Sequence, residues 1–236
     1  RRWGEAGMKR AIVPIRPKIL ACRQLEEVAP ALAAELGLDP ARHVSAGFIT
    51  ADQDDAMYVA LDHATKFADV DVVYAKSFYA GSAHASGPYS GEILGVIAGP
   101  NPDEVAEGLW ALRSALVESV CFYALEGTTG PTFFPHMIGN VGRYLAPLAG
   151  IAPGEPLAYL IAPPIESVIG VDAALKAADV RLAKYFGPPT ETNYGGAYLV
   201  GDLANVEAAA RAFTEAIIDV IGSPLHGLRR PERERR

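Results

Sequence analysis

Cysteine is nearly absent from the chain. Cys22 and Cys121 are the only two among 236 residues, and neither stands in a CxxC pair or beside other metal-ligating side chains. A thiolate metal centre is therefore not expected, and both thiols read as free and buried. Long apolar runs are missing as well. No stretch reaches the ~18 uninterrupted apolar residues that span a bilayer, and the first residues lack the short apolar core of a secretory signal. The expectation is a protein inside the cell with no membrane partner. Positive charge is in deficit: 21 Lys and Arg against 28 Asp and Glu leave a formal net charge of −7. Nucleic-acid binding needs a basic face and is not expected either. Familiar catalytic motifs are lacking too. There is no GxSxG, no P-loop and no GxGxxG between strand and helix, and Gly91-Glu-Ile-Leu-Gly95 is too sparse to substitute.

What is present is apolar content and repetition. Half of the residues are apolar, enough for one or two domains with sizeable cores. Asp62-His-Ala-Thr-Lys-Phe-Ala-Asp-Val70 lines up with Asp172-Ala-Ala-Leu-Lys-Ala-Ala-Asp-Val180, with six of nine positions identical. Both segments have helical period, with Leu61, Ala64 and Ala68 on one face of the first and Val171, Ala174, Leu175 and Ala178 on one face of the second. Each adds an Asp-to-Lys pair at i, i+4: Asp62 with Lys66, and Asp172 with Lys176.

The flanking elements correspond. Ala46 to Thr50 and Leu157 to Ala162 read as buried strands before the helices, and Asp71 to Tyr74 and Arg181 to Phe186 as strands after them. A loop rich in glycine and proline follows in each copy, then a strand over Glu92 to Ala98 or Ala197 to Gly201. A last helix has Val105, Leu109, Leu112 and Leu116 on its face, matched by Val206, Ala210, Phe213 and Ile217. Its first copy opens at Asn101-Pro-Asp-Glu104, a cap, a first-turn proline and two acids. Amphipathic helical leads are expected before each copy, over Leu20 to Leu36, kinked or divided at Pro30, and over Phe133 to Leu148. The expected fold is α+β: two tandem domains, each a small sheet flanked by helices.

This order resembles the bacterial microcompartment shell domain, in its circularly permuted form. The motifs are most similar to the tandem-domain, trimer-forming shell proteins of the ethanolamine-utilisation type. They are Thr50-Ala-Asp-Gln-Asp-Asp55, Val72-Val-Tyr74 with Ser77-Phe-Tyr-Ala-Gly81, Gly99-Pro-Asn-Pro102, Ala158-Tyr-Leu-Ile-Ala-Pro-Pro164 and Pro188-Pro-Thr-Glu-Thr-Asn-Tyr194. The likeness runs from about Ile15 to Ser223. The expected division is 1–14 as a polar N-terminal extension, with Met8 as the natural start, 15–124 and 125–223 as the two domains, and 224–236 as a tail. Arg229 to Arg236 carries five arginines and two glutamates and reads as a solvated tail or a docking peptide.

The resemblance implies a homotrimer whose six domains mimic a hexagonal tile, in lateral contact with other shell proteins and with a central pore that opens and closes. It implies no enzyme and no cofactor. It also implies an ethanolamine-like ligand held by Asp54, Asp55, Glu92 and Phe122. The residues alone leave two readings of Asp52, Asp54 and Asp55: helix capping, or a surplus of carboxylates for an ammonium group, which has three donors to satisfy. Two loops, Tyr79 to Gly91 and Gly187 to Gly196, read as turns between strands. The resemblance adds that they line and gate the pore, through Tyr79, Gly81, His84, Gly87 and Gly91 in one and Pro188, Thr190, Glu191, Asn193 and Tyr194 in the other. His84 lacks a second ligand at metal spacing, so no metal is expected, and His63 and His136 read as structural. Two rival classes remain: a carboxylate-based enzyme acting on an amine, and a soluble small-molecule sensor of the same α/β repeat. Assembly into sheets separates a tile from a sensor.

Overall fold

The computed structural model describes residues 11–78, 92–127, 131–188, 190 and 193–225. A short strand, β1 (Ile12–Ile15), precedes the first repeat. That repeat runs β2 (Ile19–Leu25), α1 (Pro30–Glu35), β3 (Ser45–Ala51), α2 (Asp54–Phe67), β4 (Asp71–Ser77), β5 (Ile93–Gly99) and α3 (Pro102–Glu118). After the connecting strand β6 (Phe122–Leu125), the second repeat runs β7 (Phe134–Ile138), α4 (Leu145–Ala149), β8 (Leu157–Ala162), α5 (Pro164–Ala177), β9 (Arg181–Phe186), β10 (Gly195–Val200) and α6 (Leu203–Gly222).

Each repeat forms an antiparallel four-stranded sheet of the same topology, β2-β3-β5-β4 and β7-β8-β10-β9. The helical periodicity read in the sequence decides which side chains enter the cores. Leu61, Ala64, Val105, Leu112 and Leu116 are buried in the first, and Ala174, Val206, Phe213 and Ile217 in the second. Burying each large side chain of this kind contributes roughly 1.5–3 kcal/mol. The helices lie close: a Cβ on Gly170 of α5 would stand 2.6 Å from the Phe213 ring of α6. The α3 start is built as expected, with Asn101 Oδ1 accepting the Glu104 N–H at 2.9 Å and proline in the first turn.

The two leads are not continuous amphipathic helices. Leu20 to Leu25 falls in strand β2, and helix begins only at Pro30. Phe134–Ile138 is likewise strand, with a helix only at Leu145–Ala149. Both strands pair with the outer side of a core strand, β2 with β3 and β7 with β8, and those ladders satisfy backbone groups that a short helix would leave open. Their edge position also accommodates Pro135, which has no N–H to donate. Cys22, on the edge strand β2, is half-buried, while Cys121 is buried.

Strand β1 belongs to the fold, although residues up to 14 read as an extension. Ile12-Val-Pro-Ile15 pairs antiparallel with Phe122–Leu125, so the beginning of the described chain is fastened to the link between the repeats. Arg16 secures it further, donating from Nη1 to the Val117 and Glu118 carbonyls at 3.1 and 3.0 Å.

Candidate functional site

The site grows from the turn between β3 and α2. Gln53 occupies the N-cap without a side-chain cap, and Asp54 and Asp55 stand in the first turn, where the helix dipole favours anions. Their carboxylates are engaged beyond the helix. Asp54 Oδ2 accepts from Ser77 Oγ at 2.7 Å and its Oδ1 from the Asp55 N–H at 2.9 Å. Asp55 accepts from the Tyr159 hydroxyl of the second repeat. Asp52 Oδ1 accepts the Lys18 N–H at 2.7 Å, so the three acids reach strand β4, strand β8 and the β1–β2 connection.

A cavity of about 340 Å³ opens beside this turn. Asp52, Asp54 and Glu92 contribute carboxylates, Gln53, Thr132 and Tyr194 uncharged polar groups, and Ile15, Phe78 and Phe122 apolar surface. None of these lining residues is cationic. Burial pushes the Glu92 carboxyl above its ordinary value, and the negative charges of Asp54 and Asp52 push it the same way. The aromatic wall is fixed by packing: Phe122 lies 5.0 Å from Phe134 and 6.1 Å from Tyr194 between ring centroids. Tyr194 is anchored by a 2.8 Å hydrogen bond between its hydroxyl and Thr132 Oγ1. Clustered carboxylates in partial burial beside an aromatic face present the acceptors and the π-surface to which a small organic cation is attracted.

Of the four expected ligand residues, Asp54, Glu92 and Phe122 line this cavity and Asp55 does not. Asp55 faces an adjoining cavity of about 330 Å³, bounded by Tyr58, Tyr144, Tyr159, Tyr198, Lys184 and Thr190 among others, with Asp54 on the border of both. Burial raises the Tyr159 phenol well above its ordinary value, and Asp55 raises it further, so it stays a donor. Tyr144 is pushed up to about 12, by burial first and then by Asp62. Ser77 and Tyr159 lie inside the motifs Ser77-Phe-Tyr-Ala-Gly81 and Ala158-Tyr-Leu-Ile-Ala-Pro-Pro164, but no local period marks them as partners of Asp54 and Asp55.

Among the loop residues, Tyr79, Gly81, His84, Gly87, Gly91 and Glu191 lie outside the described residues. In the second loop the Thr190 N–H donates to the Tyr194 carbonyl at 3.0 Å and the Asn193 N–H to the Thr190 carbonyl at 3.1 Å. Asn193 takes a left-handed φ of 64°, a conformation that asparagine tolerates. Pro188 packs over Gly195, where a Cβ would stand 2.8 Å from its ring. Tyr194 thus reaches one cavity and Thr190 the other. His63 stacks near Phe67 and His136 on Phe134. Among the described residues, no three His, Cys, Asp or Glu side chains are grouped as a metal ion would need, and no helix is long and apolar enough to cross a membrane.

This fold of two permuted repeats is that of microcompartment shell proteins. The chain superposes on a trimeric bacterial microcompartment shell protein, PduB, with a TM-score of 0.72 over 87% of this chain and 89% of that one, at 16% identity, a likeness of fold alone. No protein-family model matches the sequence. It is 46% identical to the bacterial microcompartment shell protein EutL of Salmonella typhimurium over 212 residues, 89% of this chain and 96% of that protein. It also superposes on the ethanolamine utilization protein EutL of Leptotrichia buccalis with a TM-score of 0.86, at 45% identity over 93% of this chain and all of that one. The chain belongs to the EutL family of bacterial microcompartment shell proteins.

Proposed function

We propose that the chain is a structural tile of an ethanolamine-utilisation microcompartment shell, a homotrimer whose pore loops respond to a small amino alcohol bound beside α2. The relatives are shell proteins and not enzymes, and the fold is theirs. The observation that carries the ligand is the cavity itself, with Asp52, Asp54 and Glu92 around an aromatic wall and no cationic residue among the described residues that line it. An ammonium group donates to Asp54 and Glu92 and lies against Phe122. Asp55, held by Tyr159, stands behind Asp54 and fixes the turn.

The position of the cavity supports a link to the loops. Residues 79–91 connect Phe78 to Glu92 in the chain, and the Phe78 N–H donates to the Glu92 carbonyl at 2.8 Å. Ser77, one residue earlier, donates to Asp54. Occupancy therefore acts on both ends of one proposed pore loop, and through Tyr194 on the other. The expected effect is a bias toward closure.

Calorimetric titration of the purified protein with ethanolamine tests this. Binding that is lost in both Asp54→Asn and Glu92→Gln supports the site. No heat and no bound ligand in crystals at millimolar ethanolamine would sink it.

A further inference from the structure

The cavity beside α2 has two poles of different chemistry. Asp52, Asp54 and Glu92 supply acceptors, and an ionised carboxylate can do nothing but accept. Among the described residues that line the cavity, the side chains able to donate are Gln53, Thr132 and Tyr194. Gln53 is occupied with the wall. Its Nε2 donates to the Ile15 carbonyl at 2.8 Å and its Oε1 accepts the Phe122 N–H at 3.3 Å, which ties β1 to β6. One amide N–H is left to it, a group that donates and cannot accept.

Thr132 and Tyr194 offer more. Thr132 Oγ1 lies 2.8 Å from the Tyr194 hydroxyl, and neither oxygen has another hydrogen-bond partner among the described residues. Two hydroxyls carry two protons, and the bond between them uses one. Whichever way that bond points, one O–H and spare lone pairs remain, so the pair can donate and accept at once. An alcohol asks for both, because its proton needs an acceptor and its oxygen a donor. The pair is also held in place: the Tyr194 ring stands 6.1 Å from that of Phe122, and its carbonyl accepts the Thr190 N–H at 3.0 Å.

We propose that the hydroxyl pair of Thr132 and Tyr194 reads the alcohol end of the bound molecule, making the cavity selective for amino alcohols over alkylamines of the same length. The inference rests on the amino-alcohol reading of the cavity and assigns its second pole. The ammonium end lies with Asp54 and Glu92, beside Ser77 and Phe78 at the root of the first loop. The alcohol end lies with Tyr194, next to β10 at the root of the second. An amino alcohol meets both roots, and an alkylamine meets one. The same geometry limits the selectivity. With no alcohol present the two hydroxyls still bond each other, so an alkylamine strands no polar group, and the difference is that of one neutral hydrogen bond, about two- to tenfold in affinity.

The test titrates the full chain calorimetrically with ethanolamine and with n-propylamine, in which a methyl group replaces the hydroxyl. The wild type should bind ethanolamine the more tightly. Either hydroxyl alone still donates and accepts, so Thr132→Val and Tyr194→Phe should each keep that preference. The double variant should lose it, its ratio of the two affinities falling about two- to tenfold below that of the wild type. A ratio unchanged in the double variant overturns the assignment and passes the alcohol to Gln53. A wild type that binds neither amine removes the amino-alcohol reading itself, whereas one that prefers propylamine removes only the role of the pair. Amide exchange in the wild type gives a readout that needs no variant to fold. At equal saturation the Thr190 and Asn193 amides should exchange more slowly with ethanolamine than with propylamine, and equal rates overturn the proposal.

Discussion

Asp62 and Gly142 stand 80 residues apart in the chain, yet the carboxylate of one accepts the backbone N–H of the other at 2.6 Å. The Asp62 side chain is fully buried, and Lys66 completes its surroundings at 3.7 Å. A side chain at position 142 would overlap the Asp62 carbonyl oxygen, so only glycine permits the approach. Arg143 extends the clasp with donations to the carbonyls of Thr65, Ala68 and Val70.

Gly142→Ala should therefore destabilise the folded chain by about 1–3 kcal/mol through overpacking. Asp62→Ala should cost about 3–5 kcal/mol, because Lys66 and two amides lose a buried charged partner. Chemical denaturation measures both. Losses below 0.5 kcal/mol would mean that the repeats adhere without this clasp.

Tyr159→Phe removes the hydroxyl that donates to Asp55 and should cost about 1–3 kcal/mol of stability. Because neither residue lines the carboxylate cavity, ethanolamine affinity should change less than in Glu92→Gln, where stability is kept and affinity falls about tenfold or more, on the scale of ~1.5–3 kcal/mol for a charge-assisted hydrogen bond. Paired melting and titration curves separate the two effects. Equal affinity losses would place Asp55 in direct ligand contact.

Proton linkage gives a further check. The Glu92 carboxyl titrates above its ordinary value, and a bound ammonium favours its ionised form. Affinity should then be full well above that raised value and decline as pH falls through it, starting at a higher pH than for an unperturbed glutamate. Binding at a pH within the titration range of Glu92 should release protons, seen as a heat that varies with the ionisation enthalpy of the buffer. A heat independent of the buffer would remove Glu92 from the site.

His136 offers a separate pH signature. Burial, with a smaller contribution from Lys66, pushes its imidazole down to about 4. A depressed histidine is neutral in the fold while the unfolded chain takes up its proton near pH 6.5, so its stabilising contribution is present above that pH and lost between roughly 6.5 and 4. The full loss amounts to about 3 kcal/mol at most. His136→Phe, which preserves the stacking on Phe134, should flatten the stability profile in this window, as followed by denaturation at several pH values. An unchanged profile would assign the acid sensitivity elsewhere.

Local chemistry made much of the fold legible. Leu157–Ala162 is a strand over the residues that its apolar run suggests, and Arg181–Phe186 over those that its place after the repeated helix suggests. The faces of α2, α3, α5 and α6 follow helical period, since each packs on a sheet. Strands β2 and β7 were hidden for a physical reason. Ile19–Leu25 and Phe134–Ile138 gain their hydrogen bonds only from β3 and β8, partners that periodicity does not reveal. The site divides the same way. Asp54 was visible in the acidic run at the start of α2 and Glu92 only through the family resemblance, while the Asp55 contact with Tyr159 spans 104 residues and appears only once the repeats meet.

A protein of one repeat that assembles with itself has a single sequence for all its junctions, and any residue changed at one is changed at all. Two repeats in a chain remove that constraint. Here the acids at 54 and 55 answer to Pro164 and Ile165 at the equivalent places, so a mutation that improves chemical recognition at one leaves the other untouched. The carboxylates that meet Ser77 and Tyr159 can therefore change without any change at Pro164 and Ile165, a freedom that a single repeat assembling with itself lacks.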